Sequence, residues 1–242
     1  MAQKDGRRRF LQVILYLNRE SGAPPERTEA QPLGSALALL RSWQVDRLAR
    51  TYADFLADER YHSACGFFLS DIYGARDFSQ RDRDFEHLYD LLSRFLPDVM
   101  LRLLREAILL NRMTNDLDRK LLHVLEGKFG MDNALTPESY AAVYRQCNNY
   151  AERLEQIERL VAIVREIGAG AQLRLVGPTL RLLRVPAYRL GWFDLYDFME
   201  RGYQAFLPMK EVEPFAQAID QRERRILDRI YAGEPEPFNI AA

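Results

Sequence analysis

Tyr150-Ala151-Glu152-Arg153-Leu154-Glu155-Gln156-Ile157-Glu158-Arg159-Leu160-Val161-Ala162-Ile163-Val164-Arg165-Glu166-Ile167 is the stretch on which the fold class turns. Tyr150, Leu154, Ile157, Val161 and Val164 recur at three- and four-residue intervals, with charge between them, which is the period of an amphipathic helix. Its start signal lies upstream. Thr136-Pro137-Glu138 supplies an N-cap, a proline in the first turn and an acid near the positive end of the helix dipole. The pattern from there breaks at Asn148-Asn149, and Gly168-Ala169-Gly170 reads as its stop.

Working outward, the same period returns. Leu37, Leu40, Trp43, Leu48, Tyr52 and Phe55 mark a helical pattern over Leu33–Asp58. A second helix is predicted from Glu59 to Tyr73, ending at Gly74. Ser79 with Asp82 opens a third, through Phe85, Leu88, Leu91 and Leu92. Pro97 starts a fourth, running to Arg112. Thr114 or Asn115 is expected to cap the next, which Gly127 and Gly130 end. Pro178 within Leu173–Leu183 implies a kink or a late start. Pro186 and Gly191 punctuate a turn before Trp192–Phe206, and Glu213-Pro214 opens a last helix through Ile230. No alternation of strand period follows residue 20. The expected fold is all-α, an irregular and partly orthogonal multi-helix bundle.

Organisation follows from composition. The chain has 242 residues, 48% of them hydrophobic, enough for a sizeable core. Residues 1–32 read as an N-terminal extension with a Pro-rich linker, 33–232 as a single helical domain, and 233–242 as a C-terminal tail, a linker or frayed end. Arg7-Arg8-Arg9-Phe10-Leu11-Gln12 resembles a twin-arginine export motif. The apolar Val13–Leu17 behind it is cut short by Asn18-Arg19-Glu20, and no small-residue cleavage site follows. A cytoplasmic location is expected, with export through this N-terminus as the alternative. No apolar run approaches the length of a membrane span.

Charge and chemistry narrow the function classes. The net charge is −1, without the basic excess of a nucleic-acid binder. Cys65 and Cys147 lie in apolar helical contexts and read as small buried thiols. No phosphate-binding glycine loop and no nucleophile elbow appear. Glu59-x-x-His62 has the spacing that places two metal ligands on one helix face in di-iron bundles, but the second such motif and the accompanying glutamates are missing. Arg222, Arg224, Arg225 and Arg229 stand among Asp220, Glu223 and Asp228, a salt-bridged solvent face. Trp192-Phe193-Asp194-Leu195-Tyr196-Asp197-Phe198-Met199 carries aromatic bulk for core packing or for a homodimer contact.

The densest mixture of aromatic and charge is Arg60 to Asp82. Phe67, Phe68 and Ile72 are expected in the core, while Asp71, Asp77, Arg81 and Asp82 crowd a short loop. Two readings stand side by side. Either a salt-bridged corner joins two helices, or Arg60, Tyr61, Asp71, Tyr73, Asp77, Arg81 and Asp82 form a small polar site for a ligand or partner.

Phe67-Phe68-Leu69-Ser70-Asp71-Ile72-Tyr73-Gly74 with Asp77-Phe78-Ser79-Gln80-Arg81-Asp82 resembles the signature of an uncharacterised proteobacterial all-helical family, close to F-F-L-x-D-L-Y-G-x-x-D-F-x-x-R-D. Pro186-Ala187 and Phe198-Met199-Glu200-Arg201-Gly202 extend the likeness over residues 33–232. Ile72 replaces the usual leucine. The resemblance implies a domain and no reaction. The expectation is therefore a non-catalytic helical binding or assembly protein, without a cofactor, acting on an unknown protein partner or on itself. The alternative is an enzyme or metal protein with a helical oxygenase-like bundle that uses Glu59 and His62.

Overall fold

The computed structural model describes residues 35–73, 98–129, 135–171 and 176–240. Among them are nine α-helices, one π-helical turn and no strand. The helices are α1 (Ser35–Thr51), α2 (Ala53–Ala57), α3 (His62–Phe67), α4 (Asp98–Phe129), α5 (Pro137–Gln146), α6 (Tyr150–Ala171), α7 (Val176–Arg189), α8 (Phe193–Phe206) and α9 (Glu213–Ala232). The π turn, Phe68–Ile72, continues directly from α3. The third helix expected from Ser79, Pro97 and the N-terminal extension lie outside the described residues.

Helix α6 is the hub. It packs against α4, α7, α8 and α9, and its buried residues include Ile157, Leu160, Val161, Ile163 and Val164. A helix surrounded on most sides must be apolar over more than one stripe, which is why its buried set is wider than the stripe marked by period. Tyr150, expected on that stripe, stands at the rim and donates to Asp228 at 2.7 Å. Residues Phe55, Tyr61, Phe68 and Phe215 form an aromatic cluster with ring centroids 5.0–6.1 Å apart, filling the space between the α2–α3 hairpin and α9.

The Thr136 start is formed as expected. Ser139 N–H donates to Thr136 Oγ1 at 3.2 Å, and Thr136 N–H donates to Ser139 Oγ at 3.0 Å, a reciprocal capping box. The break after α5 falls at Asn148, whose φ of +47° is left-handed, a conformation asparagine tolerates well. Gly233 ends α9 with φ +74°.

Four boundaries differ from the sequence reading. Thr114 and Asn115 do not cap a helix; α4 runs unbroken for 32 residues through them, because their side chains bond across to α6 and α1 instead of to their own backbone. Gly168 and Gly170 do not stop α6. A Cβ at Gly168 would sit 1.9 Å from Val212 Cγ2, so that glycine serves a close approach of the α8–α9 connection. Pro186 lies inside α7, whose turn comes only at Gly191 (φ +82°), whereas Pro178 marks a late start in the first turn. Finally, residues 233–240 are held and not frayed. Arg229 donates to the Asn239 carbonyl at 2.6 Å, and Phe238 sets its edge against Trp43 and Tyr140 at 5.6 and 5.8 Å.

Candidate functional site

The segment that stood out in the sequence is dispersed by the fold. Arg60 is exposed and donates to Asp58 at 2.6 Å. Tyr61 is a core residue of the aromatic cluster. Asp71 is buried and accepts from Arg201 Nε and Nη2 at 2.9 and 2.6 Å, while Ser70 Oγ donates to its other oxygen at 2.7 Å. The arginine that meets Asp71 thus comes from α8, 130 positions away, and belongs to the Phe198–Gly202 stretch noted beside it. Asp77, Arg81 and Asp82 lie outside the described residues. Glu59 and His62 are both exposed, and His62 Nδ1 donates to the Leu56 carbonyl at 2.6 Å. No group of three potential metal ligands occurs among the described residues.

Two cavities flank the same segment. The first, about 90 Å³, is apolar. Phe67 and Ile72 form one wall, Leu103, Leu104 and Ala107 of α4 another, and Phe198, Met199 and Gly202 of α8 a third. Gly170 of α6 and Val176 and Leu180 of α7 complete it. Two glycines permit close packing around this space. At Gly202, in the lining, a Cβ would come within 3.1 Å of Phe67 Cζ, and at Gly177, outside it, within 2.6 Å of the Tyr203 hydroxyl.

The second cavity, about 50 Å³, is polar and sits between α1, α4, α5, α6 and α9. Gln44 donates to Asp118 at 3.1 Å and to the Tyr140 hydroxyl at 3.3 Å. Arg41, just behind, donates to Asp118 at 3.3 Å and to Asn115. Arg47 donates to both oxygens of Glu223 at 2.7 and 2.8 Å, and the Tyr52 hydroxyl donates to the same carboxylate at 3.0 Å. Arg153 donates to Gln156 and to the Leu117 carbonyl, and Gln156 donates to Thr114 Oγ1 at 2.7 Å. Burial pushes the Tyr73, Tyr140 and Tyr144 phenols above their ordinary range, so all three line the cavity as neutral hydroxyls at neutral pH.

None of Arg47, Thr114, Asp118, Arg153, Gln156 or Glu223 stood out in the sequence as a site residue. A signal was nevertheless there: Gln44/Arg47 and Arg153/Gln156 are polar i,i+3 pairs, and Thr114/Asp118 an i,i+4 pair, each on one helix face. Among the described residues, three of the four C-terminal arginines, Arg222, Arg224 and Arg229, form ion pairs, two of them reaching other helices. Arg222 clasps Asp54 at 2.7 Å and Arg224 reaches Glu158 at 3.0 Å. Both cysteines are free thiols, and burial raises that of Cys65 to about 11, which leaves it protonated and poorly nucleophilic.

A family description, a domain of unknown function (DUF8198), matches residues 24–237. The chain belongs to the DUF8198 family. The resemblance to an uncharacterised family is met at that level, and the DUF8198 match takes in every helix described above. No curated protein and no solved structure matches the chain. No helix among the described residues is long and apolar enough to cross a membrane.

Proposed function

We propose that this chain is a non-catalytic binding protein that holds a small apolar molecule in the cavity between α4, α6, α7, α8 and the Phe67–Ile72 segment. One observation carries the reading: about 90 Å³ of space lined almost wholly by apolar side chains, at the meeting point of five elements. Protein interiors are otherwise close-packed. Apolar clefts with few polar groups are the usual form of small-molecule sites. Among the described lining residues Tyr203 alone carries a side-chain hydroxyl.

A homologous series of n-alkanols, butanol to decanol, tests this by isothermal titration. Affinity should rise about fourfold per added methylene, the equivalent of about 0.8 kcal/mol, and then level off once the cavity is full. Ala107→Leu, which places a larger apolar side chain in the wall, should abolish binding while the circular dichroism stays unchanged. Non-saturable partitioning with no chain-length limit, equal in both proteins, would sink the proposal.

A further inference from the structure

The polar cavity leads to a separate conclusion. It shares no lining residue with the apolar one among those described. Among the described residues its lining carries two guanidiniums, Arg47 and Arg153, and two carboxylates, Asp118 and Glu223, and a third guanidinium, that of Arg41, is buried just behind it against Asp118. Asp118 is taken by Arg41 and Gln44, and Glu223 by Arg47 and Tyr52. Arg153, only 4% exposed, hydrogen-bonds only neutral partners, the Gln156 side-chain oxygen and the Leu117 carbonyl, and lies 4.6 Å from the Tyr144 ring centroid; the one carboxylate whose field reaches it, Asp118, is already bonded to Arg41 and Gln44.

Two further atoms point the same way. The Nε groups of Arg47 and Arg153 are buried and make no hydrogen bond. Both side chains line the cavity. A buried cation without a counter-charge is costly, and an arginine cannot relieve the cost by shedding its proton. Tyrosine faces soften that cost but do not cancel a full charge. The space of about 50 Å³ exceeds the roughly 10–15 Å³ that a single water needs. It is therefore roomy enough for a few heavy atoms.

We infer that the cavity is a binding site for a small monovalent oxyanion of the carboxylate type, held by Arg153 and Arg47 and neutralising the excess positive charge. Guanidinium N–H groups match carboxylate oxygens in geometry and form strong, charge-assisted hydrogen bonds with them. Thr114, Gln156 and the tyrosine hydroxyls around the space supply neutral polar contacts. A dianion would leave a net negative charge where one positive charge is in excess, so selectivity should favour the monoanion.

The test uses the full chain, desalted into low-salt buffer, and follows thermal unfolding and isothermal titration with sodium formate, acetate, nitrate and sulfate at matched ionic strength. Formamide serves as the neutral analogue of formate. The expected result is saturable stabilisation by formate or acetate, at least tenfold weaker binding of sulfate, and none of formamide. Arg153→Met should remove the anion dependence, and Arg153→Lys, which keeps the charge but loses the fork, should weaken binding at least tenfold. Should Arg153→Met fail to fold, Arg153→Lys with the wild-type titration still decides: formate binding undiminished in Arg153→Lys would overturn the inference. Stabilisation that tracks ionic strength alone, equal binding of formamide, or formate binding undiminished in Arg153→Met would each overturn the inference.

Discussion

Gly168 and Gly170 stand two positions apart in the same helix, and replacing each by alanine should change stability in opposite directions. Either substitution gains about 1 kcal/mol of helix propensity, because glycine loses more backbone freedom on folding. At Gly170 the new methyl meets only Leu103 Cδ1, at 3.6 Å, an ordinary contact on the wall of the apolar cavity. Gly170→Ala should therefore stabilise the protein by about 1 kcal/mol, or roughly 2–4 °C in a chain of this size. At Gly168 the new carbon would lie 1.9 Å from Val212 Cγ2 and 2.8 Å from both Cγ1 and Cβ. A rotamer change cannot remove the Cβ contact, so the backbone at the start of α9 must move. Overpacking of this kind costs about 1–3 kcal/mol, and the upper half of that range outweighs the propensity gain. Gly168→Ala should lose about 1–2 kcal/mol net, on the same reasoning. Urea unfolding with unchanged slope measures both. Val212→Ala removes both Cγ atoms and leaves only the 2.8 Å Cβ contact, so in that background the Gly168→Ala penalty should shrink, and the double-mutant cycle reads the coupling directly. A stabilising Gly168→Ala, or a cycle with no coupling, would show that the close approach does not govern this helix end.

Two other outcomes follow from the buried charges and phenols. Arg201→Ala should cost more than Asp71→Asn, about 3 kcal/mol against about 1–2, because it strands a carboxylate whose side chain is 6% exposed, whereas the arginine is 47% exposed and can be solvated; equal losses in urea unfolding would refute the asymmetry. Tyr52, Tyr73, Tyr140 and Tyr144 hold their protons more tightly than the ordinary value of 10.0, through burial first and, for Tyr52 and Tyr73, the Glu223 carboxylate next. The unfolded chain therefore releases these protons first. Stability is full below pH 10 and falls as the pH rises from there towards the folded values, by about 1.4 kcal/mol per pH unit for each phenol. Tyrosinate absorbance near 295 nm should rise in two phases, the later one coinciding with loss of helicity; a single phase near pH 10 with helicity retained would contradict it.

Local signals were the most legible part of the chain. Thr136-Pro137-Glu138 announced α5, Gly191 marked its turn, and the apolar periods of Leu33–Asp58 and of α6 gave the all-α class, because each depends on neighbours a few residues away. What was hidden depends on distant partners. Thr114 and Asn115 look like caps until Gln156 and Arg41 arrive from other helices to take their side chains. Gly168 looks like a stop until Val212 is seen against it. Asp71 was read as part of a charged corner with Asp77, Arg81 and Asp82, whereas the arginine bonded to it, Arg201, lies 130 positions along the chain. The polar cavity was the least legible because it draws its residues from five helices, and no one of them carries more than four.

The π turn at Phe68–Ile72 has a consequence for how the chain tolerates length changes. Its bond from Tyr73 N–H to the Phe68 carbonyl, 3.0 Å, spans five residues where an α-helix spans four. Residues five apart are then stacked on one side: Phe67 with Ile72 on the apolar cavity, Phe68 with Tyr73 on the small space beside Cys65 and Leu160. In an α-helix such pairs would stand about 140° apart, since each residue turns about 100°. The turn therefore works as a phase insert of one residue. Deleting any single residue from it would restore α-helical register and swing everything beyond by about 100°. Ile72 and Tyr73 would then leave their two cavities together. Point substitutions here can be absorbed; a change in the count of residues cannot.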